Sequence, residues 1–344
     1  MANSPLRIAL LDDTLGLIGR LPSFAMLRGH RTCLIGEHLT DPEQLAVQVG
    51  AAEVLVLTRE RTPITASLLA RLPNLQMISQ ISDTPHIDLE ACTRRGVLVS
   101  ANRFPGAPHF RALHATAELT WALILMANRR LPEEMRAMRE GLWHRGAGRS
   151  VRGRTLGLFG YGRISTVVAG FGKAFGMRVV VWGSERSRAR ALADGHEACV
   201  SQREFFETAD VLSLHLRLND GTRHIVTSMD LARMKPDSVL VNTSRAALIE
   251  PGALLAALYA GQIGMAAVDV FEDEPVTDPS HPVLRHDRLI CTPHIGYVER
   301  DSLDDQYAEI YQQIFAWERG EPVHVVNPDV LSRNHGPRAR NPAS

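Results

Sequence analysis

Gly157-Leu158-Phe159-Gly160-Tyr161-Gly162-Arg163-Ile164-Ser165 follows directly on Thr155-Leu156, and this stretch decides the fold. The apolar run 155–159 predicts a buried strand, the glycines a tight turn, and the residues up to Phe175 a helix. Gly160 allows the turn. Gly162 allows a pyrophosphate to approach the backbone where the helix begins, with Tyr161, Arg163 and Ile164 beside it. The third position of the GxGxxG spacing is Ser165, where close helix–strand packing makes serine a tight fit. Glycine spacing alone is a weak signal. The strand–turn–helix setting favours a nucleotide-binding turn over a purely structural one.

The next strand, 178–182, ends in Trp182-Gly183-Ser184-Glu185-Arg186-Ser187-Arg188. An Asp or Glu at this strand end takes the adenosine ribose hydroxyls and disfavours a 2′-phosphate. Gly183 occupies that place. Ser184, Arg186 and Arg188 are suited to a 2′-phosphate, and Glu185 is the one acid able to substitute. The expected cofactor is therefore NAD or NADP, with NADP favoured.

Working outward, strand and helix signals alternate in both halves of the chain. Apolar runs at 8–11, 54–57, 75–78 and 97–99 precede the glycine turn, and runs at 210–214, 238–241, 265–270 and 288–291 follow it. Short runs separated by helical segments predict parallel sheets covered on both faces. A last amphipathic helix is expected over 301–317. The tail 331–344 has no apolar period and is expected to be disordered. The segment 112–130 reads as a long apolar helix whose helical character resumes after Pro132. It is either a buried helix crossing between domains or, as the sharper reading, a dimer-contact helix.

The chain has 344 residues, 45% hydrophobic and 22% charged, which suits an ordinary soluble enzyme with two cores. The formal net charge of zero gives no support to a nucleic-acid or anionic-membrane role. Cys33, Cys92, Cys199 and Cys291 are scattered, without CxxC or a nearby histidine pattern. They read as buried thiols of a reducing compartment, so no disulfide or metal site is expected. No signal peptide is visible, and the most apolar stretch, 119–127, is too short to span a bilayer. A cytoplasmic protein is expected.

Three segments carry the candidate chemistry: Ser244-Arg245, Glu274-Pro275 and Thr292-Pro293-His294-Ile295-Gly296. Arg245 is a permanent cation whose planar fork grips carboxylates. Glu274 is a carboxylate able to orient and charge an imidazole. His294 exchanges protons near neutral pH. Together they suit proton transfer to a carbonyl beside a carboxylate.

These segments, with Ala174-Phe175-Gly176-Met177-Arg178-Val179, Val241-Asn242-Thr243-Ser244-Arg245 and Asp269-Val270-Phe271-Glu272-Asp273-Glu274-Pro275, resemble the D-isomer-specific 2-hydroxyacid dehydrogenases over residues 5–328. That family includes glyoxylate/hydroxypyruvate, D-3-phosphoglycerate and D-lactate enzymes. The resemblance implies two doubly wound parallel-sheet α/β domains. A Rossmann NAD(P)-binding domain, 102–296, is inserted into a flavodoxin-like substrate domain built from 1–101 and 297–330. The active site would lie in a cleft closed by hinge motion, and the helix after Ala112 would dimerise the protein into a homodimer.

The same resemblance assigns roles. His294 would be the general acid/base for a small 2-oxo acid or 2-hydroxy acid, and Glu274 would keep its imidazolium populated. Arg245 would bind the substrate carboxylate, Asp269 the nicotinamide carboxamide, and Thr243 would line the cofactor. His215 would pack on the cofactor without being catalytic. Arg59 corresponds to a substrate-binding arginine, although a solvated strand-end arginine is the plainer reading. The family's glycine-containing carboxylate loop is replaced by Ser79-Gln80-Ile81-Ser82-Asp83-Thr84-Pro85-His86-Ile87-Asp88, which lacks glycine; Ser82 and Asp83 are its candidate substrate contacts. The alternatives are a short phosphoglycerate dehydrogenase-like enzyme, or a nucleotide-sensing, co-repressor-like binding protein without turnover.

Overall fold

Short apolar runs followed by polar or glycine turns become strands here because both sheet faces are covered, so no alternation of polar residues is needed. The computed structural model describes residues 4–58, 61–81, 83–102 and 112–333. Arg59, Ser82 and the tail beyond 333 lie outside the described residues. The chain divides into two units, Met1–Phe110 with Arg300–Ser344, and Arg111–Glu299.

The first unit is built on β1 (Arg7–Leu10), β2 (Arg31–Leu34), β3 (Val54–Val56), β4 (Met77–Ile81) and β5 (Leu98–Asn102). They form one parallel sheet in the order β2-β1-β3-β4-β5, the flavodoxin-like order. Leu55, Leu68, Leu69, Ile78 and Val99 centre its core. The helix Arg300–Glu318 belongs to this unit and is fastened to the sheet. Ser79 donates to the Ile310 carbonyl at 3.1 Å, and the Tyr307 and Thr58 hydroxyls meet at 2.7 Å.

The second unit holds β6 (Thr155–Phe159), β7 (Arg178–Trp182), β8 (Glu197–Ala198), β9 (Val211–Leu214), β10 (Val239–Asn242), β11 (Met265–Val268) and β12 (Leu289–Cys291). Their order is β12-β11-β10-β9-β6-β7-β8, all parallel. Counted from β6, this is the Rossmann order 3-2-1-4-5-6 with one strand added. The order reverses between β6 and β9, and the glycine turn follows β6 at that point. Among the described residues, no helix is long and apolar enough to cross a membrane.

Several expectations change. Pro132 does not lie within a continuing helix: the helix Ala112–Arg129 stops at Arg130, whose φ of 54° is left-handed. Pro132 then sits in the first turn of a new helix, Leu131–Arg139, where its missing N–H costs nothing. The apolar surface of the first helix is absorbed by its own unit, with Ala117, Leu123 and Ile124 buried where this helix packs on the helix Arg163–Ala174, β10 and β11. Cys33 is exposed, because β2 is an edge strand with every residue exposed, and Cys291 is half-buried; only Cys92 and Cys199 are buried. Ser79, Gln80 and Ile81 are not loop but the buried end of β4, so the connecting loop starts after them. Residues 331–333, expected to be disordered, belong to a 3-10 helix, Pro328–Arg333, anchored by buried Val330.

Two consequences can be measured. Gly157 lies in β6 where an added Cβ would stand 2.9 Å from both the Ala209 Cβ and the Phe205 ring. Gly157→Ala is expected to cost about 1–3 kcal/mol by overpacking, read as a lowered urea midpoint. The second concerns His215, just after β9, whose Nε2 lies 2.9 Å from the Ser213 hydroxyl and whose imidazole burial pushes down to about 4. The unfolded chain protonates this ring at roughly pH 6.5, so protonation favours unfolding. Its contribution is complete above that pH and is lost as pH falls toward the folded value. Stability should therefore fall between pH near 7 and pH near 5 less steeply in His215→Gln than in the parent; parallel curves would refute this.

Candidate active site

Every loop that carries a candidate catalytic side chain leaves the C-terminal end of a strand in the second unit's sheet. After β6, Gly160 adopts φ 90°, and a Cβ there would stand 2.8 Å from the His215 carbonyl oxygen. Only glycine fits this close approach of the two strand ends flanking the switch point. A Cβ on Gly162 would meet nothing within 4 Å, which leaves the backbone open on that side. The helix Arg163–Ala174 starts here, and Arg163 and Ile164 form its first turn. An N-terminal turn concentrates backbone N–H groups and partial positive charge, so this cradle suits a pyrophosphate.

Ser165 works differently from the packing role expected of it. It is fully buried, its hydroxyl accepts the Gly162 N–H at 2.7 Å and donates to the Gly162 carbonyl at 3.1 Å. It thus locks the turn by a local cap. Tyr161 turns inward: it is buried, donates to Asp194 at 2.9 Å, and its phenol is pushed up to about 12 by burial and by that carboxylate. Its ring belongs to the core.

At the end of β7, Gly183 has φ 151°, a conformation L side chains rarely adopt, and a Cβ would lie 3.4 Å from Gly160 Cα. This backbone selects glycine and excludes an acid at that position. Ser184 caps the helix Glu185–Ala193 by accepting from Ser187 N–H at 3.2 Å. Arg186 is exposed, and the Arg188 guanidinium lies over the Trp182 ring at 4.9 Å.

After β10, Asn242 shapes the next turn. Its side-chain amide donates to the Arg245 carbonyl at 2.9 Å and its oxygen accepts from Ser244 N–H at 3.0 Å. Arg245 is exposed, one guanidinium nitrogen donating to the Ser244 carbonyl at 2.8 Å. Thr243 is buried, its hydroxyl 2.7 Å from that of Thr120.

After β11, buried Asp269 binds the loop that follows β12. It accepts from the Thr292 hydroxyl at 2.6 Å, Ile295 N–H at 2.9 Å and Gly296 N–H at 2.8 Å. Burial nevertheless leaves its carboxyl above the ordinary value, against the lowering effect of these donors. A Cβ on Gly296 would stand 3.1 Å from Asp269, so glycine is what permits the approach. Between the bonded residues, His294 takes φ 55°, a left-handed conformation uncommon for a non-glycine residue. Its Nδ1 lies 2.7 Å from Glu274, whose other oxygen accepts from Phe271 N–H at 2.9 Å. Burial opposes ionisation of Glu274, but the His294 and Phe271 hydrogen bonds and the charges of His294 and Arg245 hold its carboxyl below the ordinary value. The Tyr297 ring meets the His294 ring edge-on at 6.1 Å.

His294, Glu274 and Arg245 are thus brought together, with Asp269 and Thr243 behind them. Of the expected substrate contacts, Asp83 lies in the first unit, half-buried, its carbonyl accepting from the Gln80 side chain at 2.9 Å. Sequence reasoning did not single out Thr116 and Thr120, whose hydroxyls bond to the Gly296 and Thr116 carbonyls at 2.8 Å each. Their four-residue spacing on an apolar helix was the available signal.

The geometry can now be set beside known proteins. Residues 121–296 match the family model of the D-isomer specific 2-hydroxyacid dehydrogenase NAD binding domain. The chain is 37% identical over 279 residues to a glyoxylate reductase of Aeropyrum pernix, covering 78% of this chain and 81% of that protein. It is 34% identical to a D-3-phosphoglycerate dehydrogenase of Methanocaldococcus jannaschii, covering 83% of this chain and 53% of the relative. A crystal structure of a phosphoglycerate oxidoreductase from Vibrio cholerae superposes with a TM-score of 0.84 at 44% identity, over 92% of this chain and 99% of the other. By sequence and by fold, the chain belongs to the D-isomer specific 2-hydroxyacid dehydrogenase family.

Proposed function

We propose that this chain is an NAD(P)-dependent oxidoreductase that interconverts a small 2-oxo acid and its D-2-hydroxy acid. The observation that carries the reading is the 2.7 Å contact between His294 Nδ1 and Glu274. A carboxylate on Nδ1 fixes the orientation of the ring, leaving Nε2 as the atom that exchanges a proton. When bound, the dihydronicotinamide supplies a hydride to C2 of the oxo acid. His294 gives its Nε2 proton to the C2 oxygen, and Glu274, at Nδ1, balances the positive charge of the ring until that transfer. Arg245 holds the substrate carboxylate and polarises the neighbouring carbonyl. In the reverse direction His294 takes the hydroxyl proton.

The glycine cradle at Gly160 and Gly162, with Arg163 and Ile164, is the proposed pyrophosphate site. NADP preference is supported by the absence of an acid at Gly183 and by Ser184, Arg186 and Arg188 at the following helix start. Glyoxylate reductases among the relatives make a small, unphosphorylated 2-oxo acid the first substrate class to test.

The test is a panel of glyoxylate, hydroxypyruvate, pyruvate and phenylpyruvate with NADH and NADPH, following loss of the reduced nicotinamide absorbance. Turnover is expected with at least one acid, with higher kcat/KM for NADPH, and Arg186→Ala should erode that preference. His294→Gln should lower kcat by about 100-fold or more. No consumption of either cofactor would point instead to a nucleotide-binding protein without turnover, and full activity in His294→Gln would remove the assigned role.

A homodimer is also proposed, on a different helix from the one the sequence suggested. Leu131, Met135, Met138, Leu142 and Trp143 expose a stripe of large apolar side chains on and just after the helix Leu131–Arg139. A second copy covering the stripe would remove it from water. Sedimentation should give twice the chain mass of 37.9 kDa, and Met135→Glu with Met138→Glu should give the monomer; a monomeric parent would refute the proposal.

A further inference from the structure

The Gly296 peptide is gripped from both sides. Asp269 takes its N–H at 2.8 Å, and the Thr116 hydroxyl donates to its carbonyl at 2.8 Å, across 180 residues of sequence. The Thr116 methyl also packs on Gly296, where a Cβ would stand 3.5 Å from it. The carbonyl that Thr116 binds is part of the peptide leading to Tyr297, whose ring abuts His294. One turn further along the same helix, Thr120 is fully buried. Its hydroxyl donates to the Thr116 carbonyl at 2.8 Å and meets the Thr243 hydroxyl at 2.7 Å.

Proton counting fixes the direction of this chain. A hydroxyl has one proton. Thr120 spends its proton on the Thr116 carbonyl, so at the Thr120–Thr243 contact Thr243 is the donor. Thr243 then offers only lone pairs to anything beside it. Two strand-end loops are therefore tied to one helix: the loop after β12, which carries His294, through Thr116, and the turn after β10, which carries Arg245 two residues past Thr243, through Thr120. Neither threonine lies among the groups assigned to proton transfer or carboxylate binding.

We propose that Thr116 and Thr120 are positioning residues that set the His294 loop and the Arg245 turn in register, so that proton donor and carboxylate anchor address one substrate. This rests on the acid–base reading of His294 and Arg245 above. The isosteric Thr116→Val keeps the methyl contacts and removes the hydroxyl that binds the Gly296 carbonyl.

The decisive experiment compares parent, Thr116→Val and Thr116→Ser by steady-state kinetics on the best panel substrate, by NADPH titration, and by hydrogen exchange of the peptide 292–298. A net hydrogen bond corresponds to roughly a fivefold rate effect. Thr116→Val should lower kcat by about fivefold, with cofactor affinity unchanged and exchange in 292–298 faster. Thr116→Ser, which restores the donor, should recover both. Thr120→Val should act in the same direction while leaving the Gly296 bond in place. Unchanged kcat and exchange in Thr116→Val would overturn the proposal. So would a loss of kcat that Thr116→Ser does not recover, since that marks general damage. If the parent reduces no 2-oxo acid, the functional reading fails, and the exchange measurements still decide whether Thr116 fixes the loop. If Thr116→Val does not fold, the same measurements on Thr116→Ala decide.

Discussion

The buried carboxylate of Asp269 is the interaction on which the rest of the site depends. Three donors from the 292–296 loop converge on it. Hydrogen bonds to an ionised group contribute about 1.5–3 kcal/mol each, whereas a buried carboxylate left without partners is costly. The loop has one way to satisfy that carboxylate, and in doing so it turns His294 into a left-handed conformation costing roughly 1–2 kcal/mol. The strain at His294 is thus held by its neighbours on both sides, not by His294 itself. This gives Asp269 a second task beyond the carboxamide contact that resemblance suggests. Three of the sites around its two oxygens are already engaged by its own chain, and what remains for a ligand is a single acceptor position on the oxygen that binds Gly296.

The parallel sheet explains why one carboxylate can organise so much. Strands β6, β9, β10, β11 and β12 all end on the same edge, so their following loops stand in a row. Neighbouring strands are about 4.8 Å apart, close enough for a side chain at one strand end to bond the loop of the next. Asp269 after β11 reaches the loop after β12, and the Ser244 hydroxyl after β10 reaches the Leu216 carbonyl after β9 at 2.6 Å. Gly160 after β6 touches the His215 carbonyl after β9. Each link is local in space though distant in sequence. The helix Ala112–Arg129 spans this row and adds the links that adjacent strands cannot make.

This distribution accounts for what the sequence revealed. The stretch 155–165 was readable because its information is local: an apolar run, a glycine with positive φ and a helix start adjoin one another. His294, Glu274 and Arg245, the first two of them in contact, stood out as candidates because their short segments carry their own turn chemistry. Strand β2 was not, since an edge strand with all four residues exposed has no apolar signature. The two-residue β8 is too short to leave one. The buried end of β4 was taken as loop because Ser79 and Gln80 are polar. Ser79 donates to the Ile310 carbonyl and the Gln80 carbonyl accepts from Gln313, both in the helix Arg300–Glu318 and too distant in sequence for local pattern to disclose. Thr116 and Thr120 escaped for the same reason: a threonine in an apolar helix declares its partner only when the chain folds.

Ser165 and Gly183 show how a departure from a familiar pattern can be structurally complete yet chemically selective. At 165, a hydroxyl closes the turn on Gly162 by bonding both ends of the same residue. The Gly162 N–H is therefore already satisfied, and anion binding in the cradle falls to the amides of the helix that follows. At 183, a φ of 151° leaves no place for the acid that would bind ribose hydroxyls and repel a phosphate. The change at 183 leaves the strand end without a carboxylate and beside positive charge: the helix N-terminus at Glu185 and the guanidinium groups of Arg186 and Arg188. An additional phosphate on the ribose would meet no opposing negative charge fixed at the strand end, only Glu185 on a helix flank. His294 is unaffected by either change, because Asp269 and Glu274, both in the loop after β11, hold the loop after β12 on the other side of the switch point. The fold thereby separates the glycine cradle and the Gly183 strand end from the loops that hold Arg245, Glu274 and His294, with the reversal between β6 and β9 as the dividing line.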